Sequence, residues 1–348
     1  MAEDDSTIAA EGPVKRVRNI AELASIAGVS AGTVSRALAD KPMVNARTRE
    51  KIQALARKHG FQVNQMASKL RRQKTGVIAV VIPLGHDRRQ HISDPFFMTL
   101  LGALADELTE SGFDVMLSRA IPQEHPDWLD RVVNSGMVDG VLMIGQSDQY
   151  DAIEAVARDY APLVVWGSYR EGQAHCSVGT DNFAGGRMAA EYLLEKGLRS
   201  LVFLGDTTGI EIEERYHGVQ AAVGDFGRGA RLQHVPVHLS IDEMTDEIGI
   251  AMTALDGDIE GAVCASDAIA MAAIRQLHEL GIQVPADIQV IGFDDLPLAR
   301  HSVPQLTTIR QNITGGAAQM VRRLMARISG EDAEALVMPP ELVIRASA

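Results

Sequence analysis

After residue 75 the chain alternates between short apolar runs and amphipathic helical patterns, and this alternation constrains the fold more than any other feature. The apolar runs are dense enough to be strands buried on both faces, which is typical of parallel sheets. They cover residues 76–82, 114–118, 140–144, 163–166, 200–205, 261–265 and 289–293. Helical patterns lie between them, at 97–111, 128–135, 185–196, 213–223, 242–255 and 268–280. The alternation predicts an α/β body with parallel sheets, whose ligands bind beyond the carboxyl ends of the strands.

The first part of the chain has the spacing of a helix-turn-helix. Asn19 is a candidate N-cap of a first helix, and Gly28 ends that helix because glycine tolerates left-handed dihedrals. Ser30 caps a second helix over 31–38, so the two helices are joined by three residues. A small all-α head is therefore predicted.

A third amphipathic helix is expected over 45–59, with Ile52, Leu55 and Ala56 facing the core shared by the three helices. The head then spans 15–61. Residues 1–14 lack periodic apolar positions and are expected to be a disordered tail. Residues 62–74 are basic with few apolar positions, which indicates a linker between the head and the body.

Charge divides the chain in the same place. Residues 1–75 contain 14 Lys/Arg and 7 Asp/Glu, a net charge of +7. The remaining residues contain 19 Lys/Arg and 39 Asp/Glu, a net charge of −20. A basic head on an acidic body indicates that the head binds a polyanion and the body does not.

Composition excludes several protein classes. An apolar fraction of 46% with 23% charged residues is typical of a folded globular protein. Cys176 and Cys264 are the two cysteines, so a disulfide framework is excluded. The acidic N-terminus has no apolar segment typical of a secretory signal, and no apolar run is long enough for a membrane span. We therefore expect a cytoplasmic protein without a membrane partner.

The head sequence from Asn19 to Leu38 resembles the DNA-binding head of the LacI family of bacterial transcription regulators, above all in its Gly-Val-Ser and Thr-Val-Ser-Arg strings. Weaker similarities continue through the body, at 93–97, 181–186, 215–218, 265–267, 280–285, 290–295 and 304–308. The resemblance implies a two-lobed, periplasmic-binding-protein-like effector domain over 75–348. Its lobes are expected at about 75–172 with 307–333, and at 173–306 with 334–348.

The resemblance also implies which residues contact DNA. The second helix enters the major groove, where Arg36 can bind guanine or a phosphate and Thr33 offers a methyl group and a hydroxyl. Ser30 and Ser35 are expected on phosphates, which position the protein without specifying sequence. The assigned head residues are Asn19, Ser30, Ala31, Gly32, Thr33, Ser35 and Arg36.

The linker resembles the hinge helix of the family, with Asn64, Met66, Ala67 and Leu70 as DNA contacts. Leu70 occupies the position of the leucine that the family inserts into the minor groove, where an apolar wedge unstacks one base step and bends the duplex. Val63 stands where the family usually has proline, which predicts a more flexible entry to the hinge helix.

In the body, Arg215 and Asp294 match the family positions of an effector-contacting arginine and carboxylate. Together they suit a polyol, because each can make charge-assisted hydrogen bonds to two adjacent hydroxyls. The resemblance adds Phe96, Phe97, Gln146, Ser266 and Asp267 to the effector site. One of the two phenylalanines is expected to line the cleft and the other to pack. As an alternative, Asp267 caps the helix that follows it.

The expected function is a repressor of carbohydrate genes that binds a palindromic operator as a homodimer, with no cofactor, no metal and no enzymatic activity. The chain lacks the leucine-heptad tail of the family's tetramers, which is why a dimer is expected. A mono- or disaccharide is the expected effector, and a purine-type metabolite acting as corepressor is the alternative. A sugar-binding protein that does not contact DNA is a further alternative, which the basic head disfavours.

Overall fold

The computed structural model describes residues 17 and 19–348, apart from 62–73, 85–90, 147, 228, 240–243 and 255–258. The predicted tail over 1–14 and nearly all of the predicted hinge, including Val63, Asn64, Met66, Ala67 and Leu70, lie outside the described residues. The chain divides into a head unit over residues 1–75 and a body unit over residues 76–348.

The head contains the three predicted helices, α1 (Ile20–Ala27), α2 (Ala31–Leu38) and α3 (Ala46–Lys58). Asn19 caps α1, because its side chain accepts a hydrogen bond from the Glu22 amide. Gly28 ends α1 with a φ of +71°, in the left-handed region that favours glycine. Ser30 caps α2 by accepting from the Thr33 amide. The local signals of a helix-turn-helix are confirmed.

The core of the head joins all three helices. Leu23 of α1, Val34 of α2 and Ile52 of α3 are fully buried at its centre, and Phe61 packs against them. Leu55 is only partly buried, so Ile52 contributes more to this core. Burial of these apolar side chains stabilises helices that are too short to persist alone.

The first lobe of the body is built on a parallel sheet. Its described strands are β1 (Val77–Pro83), β2 (Asp114–Ala120), β3 (Gly140–Ile144), β4 (Leu163–Trp166), β5 (Cys176–Thr180) and β11 (Leu336–Met338). The order across the sheet is β11-β5-β4-β3-β1-β2. The helices of this lobe are α4 (Pro95–Glu110), α5 (Trp128–Val133), α6 (Tyr150–Ala157) and α11 (Ile313–Ile328).

The second lobe repeats this plan. Its described strands are β6 (Ser200–Leu204), β7 (Arg231–Val235), β8 (Gly261–Cys264), β9 (Gln289–Asp294), β10 (Thr307–Arg310) and β12 (Glu341–Val343). Their order is β12-β10-β9-β8-β6-β7, and only β12 of these runs antiparallel to its neighbour. The helices are α7 (Asn182–Glu195), α8 (Ile210–Phe226), α9 (Met244–Ala254) and α10 (Asp267–Glu279).

The predicted lobe boundaries at 172, 306 and 333 are wrong by several residues. Cys176 pairs with Val164 of β4, so β5 still belongs to the first sheet. Thr307 pairs with Ile291 of β9, which places β10 in the second sheet. The chain therefore crosses between the lobes at Asp181, at 311–312 and at 339–340, after each strand has completed its sheet.

Candidate functional site

The exposed face of α2 carries most of the residues that were assigned to the major groove. Ala31, Gly32, Ser35 and Arg36 are exposed and Thr33 is half-buried, whereas Val34 points into the core. The guanidinium of Arg36 lies beside Gly32, since a Cβ at that glycine would be 3.6 Å from Arg36 Nη2. A flat cation on an exposed helix face is suited to bidentate contact with guanine or phosphate.

Asn19 and Ser30 lie at the N-termini of α1 and α2. The Oδ1 atom of Asn19 accepts from the Glu22 amide at 2.9 Å, and its Nδ2 donates to the Glu22 carboxylate at 3.0 Å. The Ser30 hydroxyl lies 2.9 Å from the Thr33 hydroxyl. Both side chains therefore organise a helix N-terminus, which is itself a favourable environment for phosphate.

A cavity in the body lies beyond the carboxyl ends of the strands, where the two lobes face each other. Its volume of about 100 Å³ corresponds to about seven to ten water molecules. The first lobe lines it with Pro83, Asp94, Phe96, Phe97, Ile144, Gly145 and Trp166. The second lobe and its crossing segment line it with Gly209, Glu211, Ile212, Arg215, Leu239, Ala265, Ser266, Ala268, Asp294, Leu296 and Gln311.

Among the described residues that line this cavity, Arg215 is the only cation. Its Nε donates to Asn182 Oδ1 at 2.8 Å, its Nη1 donates to the Ala265 carbonyl, and its guanidinium lies 3.8 Å from the centre of the Phe293 ring. Burial lowers the pKa of Arg215, and the charge of Asp294 opposes that shift. These contacts hold the guanidinium in one place at the cavity wall.

Asp294 lies beside Arg215, with 4.0 Å between Asp294 Oδ1 and Arg215 Nη1. The same oxygen accepts from Gln311 Nε2 at 2.6 Å. Burial raises the pKa of Asp294 to about 7, although Arg215 and Gln311 act in the opposite direction. A φ of +124° is unusual for a residue other than glycine, and such backbone conformations concentrate at binding sites.

The opposite wall of the cavity is aromatic. Phe96 meets Phe97 edge to face at 6.1 Å and Trp166 at 5.9 Å between ring centres. The expectation that only one phenylalanine lines the cleft is wrong, because both do. They follow the N-cap Asp94 in the first turn of α4, which turns both rings toward the cavity.

The assignments of Gln146 and Asp267 as residues that line the cleft are not supported, because both are fully buried and outside the cavity lining. Gln146 donates to the Ser168 carbonyl and lies 2.9 Å from a ring nitrogen of His175. Asp267 accepts from the Leu296 amide and the Thr308 hydroxyl, behind the cavity wall. The cap of α10 is Ser266, so the alternative role of Asp267 as a cap is also wrong.

Sequence reasoning missed Asp94, Trp166, Glu211 and Gln311 as residues of the cavity. Asp94 had a usable signal, since an aspartate before a proline is a strong helix-start pattern, and it does accept from the Phe96 and Phe97 amides. Glu211 lies at the first turn of α8, and burial raises the pKa of its carboxyl. No local pattern marks the other two.

Comparison with known proteins identifies the architecture. Residues 19–64 match bacterial regulatory proteins of the lacI family, and residues 190–348 match a periplasmic binding protein-like domain. The HTH-type transcriptional regulator AglR of Rhizobium meliloti (strain 1021) is 30% identical over 343 residues, covering 94% of this chain and 94% of that protein. The chain belongs to the lacI family of bacterial regulatory proteins. The members of the lacI family that it matches are transcription regulators and not enzymes.

Other lacI-family relatives are similar to this chain over nearly its full length. The HTH-type transcriptional regulator CelR of Thermobifida fusca is 28% identical over 335 residues, covering 93% of this chain and 96% of that protein. A structure of a CelR–cellobiose complex has a TM-score of 0.65 at 25% identity, covering 95% of this chain and 100% of that chain. The lac repressor dimer bound to operator and the anti-inducer ONPF shares the fold, with a TM-score of 0.82 at 22% identity and coverage of 96% and 99%.

Two further features of the described residues bear on function. No helix in the described part of the chain is long and apolar enough to cross a membrane. Within the same residues, no group of three or more His, Cys, Asp or Glu side chains is arranged to hold a metal ion.

Proposed function

We propose that this chain is a cytoplasmic repressor that binds a palindromic operator as a homodimer and responds to a sugar in the body cavity. Two separate sites support the proposal. The head presents Arg36 and Thr33 on an exposed helix face, and the body holds a cavity with Arg215 and Asp294 at one wall.

The head would read DNA through few direct base contacts. Arg36 supplies the strongest candidate contact, and the hydroxyl and methyl groups of Thr33 supply a second. Ala31 and Gly32 are small, so base contacts at these positions are apolar or bridged by water. Ser30 and Ser35 would hold phosphates. Asn64, Met66, Ala67 and Leu70 are proposed to contact the minor groove at the centre of the operator.

The sugar assignment rests on one observation: a charged wall and an aromatic wall face each other across the cavity. Arg215 and Asp294, 4.0 Å apart, face an aromatic wall of Phe96, Phe97 and Trp166. A sugar ring has hydroxyls for the first wall and C–H faces for the second. The cellobiose complex of the relative CelR agrees with this class of ligand.

The charged side chains of the cavity narrow the class of sugar that it would bind. The described lining holds three carboxyl side chains, Asp94, Glu211 and Asp294, and one guanidinium, which is already bonded to protein groups. A phosphorylated or acidic sugar would bring more negative charge into this space, so an uncharged mono- or disaccharide is favoured.

Effector binding would be coupled to operator binding through the arrangement of the lobes and the hinge segments. Such coupling has a typical free energy of about 1–3 kcal/mol.

The sugar assignment is tested by calorimetric titration of the full chain with cellobiose, maltose, ribose, glucose 6-phosphate and hypoxanthine. Saturable binding of an uncharged sugar, with no heat from the phosphate ester or the purine, is expected. Binding of hypoxanthine in place of every sugar would identify a purine-responsive regulator.

A further inference from the structure

Three hydrogen bonds link four side chains into a ring that leaves α8, passes through the first lobe and returns to the neighbouring residue of α8. Arg215 Nε donates to Asn182 Oδ1 at 2.8 Å, and Asn182 Nδ2 donates to Ser168 Oγ at 3.0 Å. The Ser168 hydroxyl then donates to Glu214 Oε2 at 2.5 Å. Arg215 and Glu214 are neighbours in sequence, so the ring begins and ends on one turn of one helix.

The members of the ring come from both lobes. Ser168 follows β4 of the first lobe, and Glu214 and Arg215 belong to α8 of the second. Asn182 is the residue after the first crossing at Asp181, so it lies where the two lobes are joined. The ring therefore closes only when the first lobe is against α8.

The chemistry of the ring favours a single closed arrangement. Asn182 and Ser168 are 2% and 3% exposed, so an unpaired hydroxyl or amide there would be costly. Every link runs in one direction, from a guanidinium donor to a carboxyl acceptor. The bond from the guanidinium is charge-assisted, as is the bond to Glu214 when that carboxyl is ionised, and successive bonds polarise one another.

One further contact crosses the same boundary. The Gln146 amide, just after β3 in the first lobe, donates to Glu211 Oε1 on α8 at 3.3 Å. Glu211 lines the cavity, whereas Ser168 does not. The backbone amide of Gln146 therefore reports lobe closure through an acceptor outside the ring, although the Gln146 side chain also donates to the Ser168 carbonyl.

We propose that Ser168 is a positioning residue that latches the two lobes together and sets effector affinity without touching the effector. The hydroxyl ties the first lobe to the helix that carries Arg215, so movement of the arginine by a ligand is transmitted to Ser168 through Asn182. The regulatory part of this inference rests on the proposed function. The latch itself is a property of the protein without ligand.

The test is hydrogen–deuterium exchange at single-residue resolution on the full chain without ligand, comparing wild type with Ser168→Ala. The Gln146 amide is expected to exchange at least about fivefold faster in the variant, because the closed arrangement is less populated. Glu214→Gln, which keeps an acceptor oxygen but not the charge, is expected to give a smaller increase. Amides inside β3 and β4 are expected to keep wild-type rates.

Ser177→Ala is the matched control, because Ser177 is an equally buried serine whose hydroxyl accepts from Gln173 within the first lobe. An unchanged rate at Gln146 in Ser168→Ala would overturn the latch. Equal acceleration in Ser177→Ala, or at the strand amides, would also overturn it, since that pattern means general loosening of the lobe.

The regulatory consequence is measured separately with cellobiose, maltose and ribose. Ser168→Ala is expected to weaken any of these sugars that binds wild type by about tenfold, and Ser177→Ala by less than about twofold. A sugar that binds both variants as tightly as wild type would overturn the role of Ser168 in affinity. Failure of every sugar to bind wild type would contradict the proposed function and leave the exchange result to decide the latch.

Discussion

Gly186 on α7 lies so close to the Arg215 carbonyl oxygen on α8 that a Cβ at this position would overlap that atom. Gly218 on α8 makes a reciprocal approach to the backbone of Phe183 on α7. The two helices therefore pack backbone to backbone at the turn that carries Arg215. This packing explains why a glycine is needed at the end of the Asn-Phe-Ala-Gly-Gly string.

Gly186→Ala is expected to destabilise the body by roughly 1–3 kcal/mol, because overlap with backbone cannot be relieved by a side-chain rotation. It should also weaken sugar binding, since α8 must shift and carry Arg215 with it. Gly224→Ala on α8 is the control. Its Cβ would meet open space, so a gain of up to about 1 kcal/mol is expected. Chemical unfolding measures the stability of both variants. Equal stabilities of Gly186→Ala and Gly224→Ala would contradict the packing argument.

Arg36→Ala is expected to remove the preference for operator over random duplex, with a loss of roughly 1–3 kcal/mol in operator binding. Sugar affinity should not change, because the head and the cavity belong to separate units. Arg275→Ala, an exposed arginine of the body that pairs with Glu279, controls for the loss of one positive charge. Fluorescence anisotropy at fixed salt measures the effect. Operator affinity within a few-fold of wild type would show that α2 does not read bases through Arg36.

Arg215→Lys is expected to abolish the sugar response while operator binding persists. Lysine keeps the charge but lacks the fork that reaches Asn182 and the Ala265 carbonyl together. Arg187→Lys on the preceding helix is a matched change at an exposed ion pair, and it should leave the response intact. An unchanged sugar titration in Arg215→Lys would mean that the effector binds elsewhere.

The raised pKa of Asp294 predicts that the stability of the protein depends on pH. Burial raises its pKa from 3.8 to about 7, so the folded state holds its proton over a range in which the unfolded state has released it. The associated stability is present at acidic pH and is lost as the pH rises through about 7. From about pH 5.5 to 7.5, wild type should lose roughly 1–2 kcal/mol relative to Asp294→Asn. If the difference in unfolding free energy between wild type and Asp294→Asn is the same at both pH values, the pKa of Asp294 is not raised.

The head was predictable because its signals are local. The cap at Asn19, the turn at Gly28 and the cap at Ser30 act within a few residues, and each was confirmed. The strands at the centre of each sheet were predictable for a similar reason, because burial on both faces leaves a continuous apolar run, as in β1 and β3.

Of the edge strands, β2 was predicted, whereas β7, β11, β12 and the crossings between the lobes were not. β7 at the edge of its sheet reads Arg-Leu-Gln-His-Val and is largely half-exposed, so it lacks an apolar run. β11 and β12 have three residues each, too few to show a period. The helix α11 has apolar positions at helical spacing, but Gly315 and Gly316 in its first turn conceal its start.

Arg215, Asp294, Ser266 and both phenylalanines line the cavity, where only one phenylalanine was expected, and their contact with an effector stays a prediction. Gln146 and Asp267 lie behind the wall because their hydrogen-bond partners, Ser168 and Thr308, come from distant parts of the chain. The spacing of residues along the sequence does not reveal such long-range hydrogen bonds.

The central claim is that one chain binds an operator and is controlled by a sugar in its body. Its most direct test is fluorescence anisotropy of the full chain on a palindromic duplex from its own upstream region, at fixed salt. We predict nanomolar binding that one uncharged sugar weakens by about fivefold or more, and no weakening in Arg215→Lys. Equal affinity for the palindrome and a random duplex, with sugar binding retained, would contradict the account and indicate a sugar-binding protein that does not act on DNA.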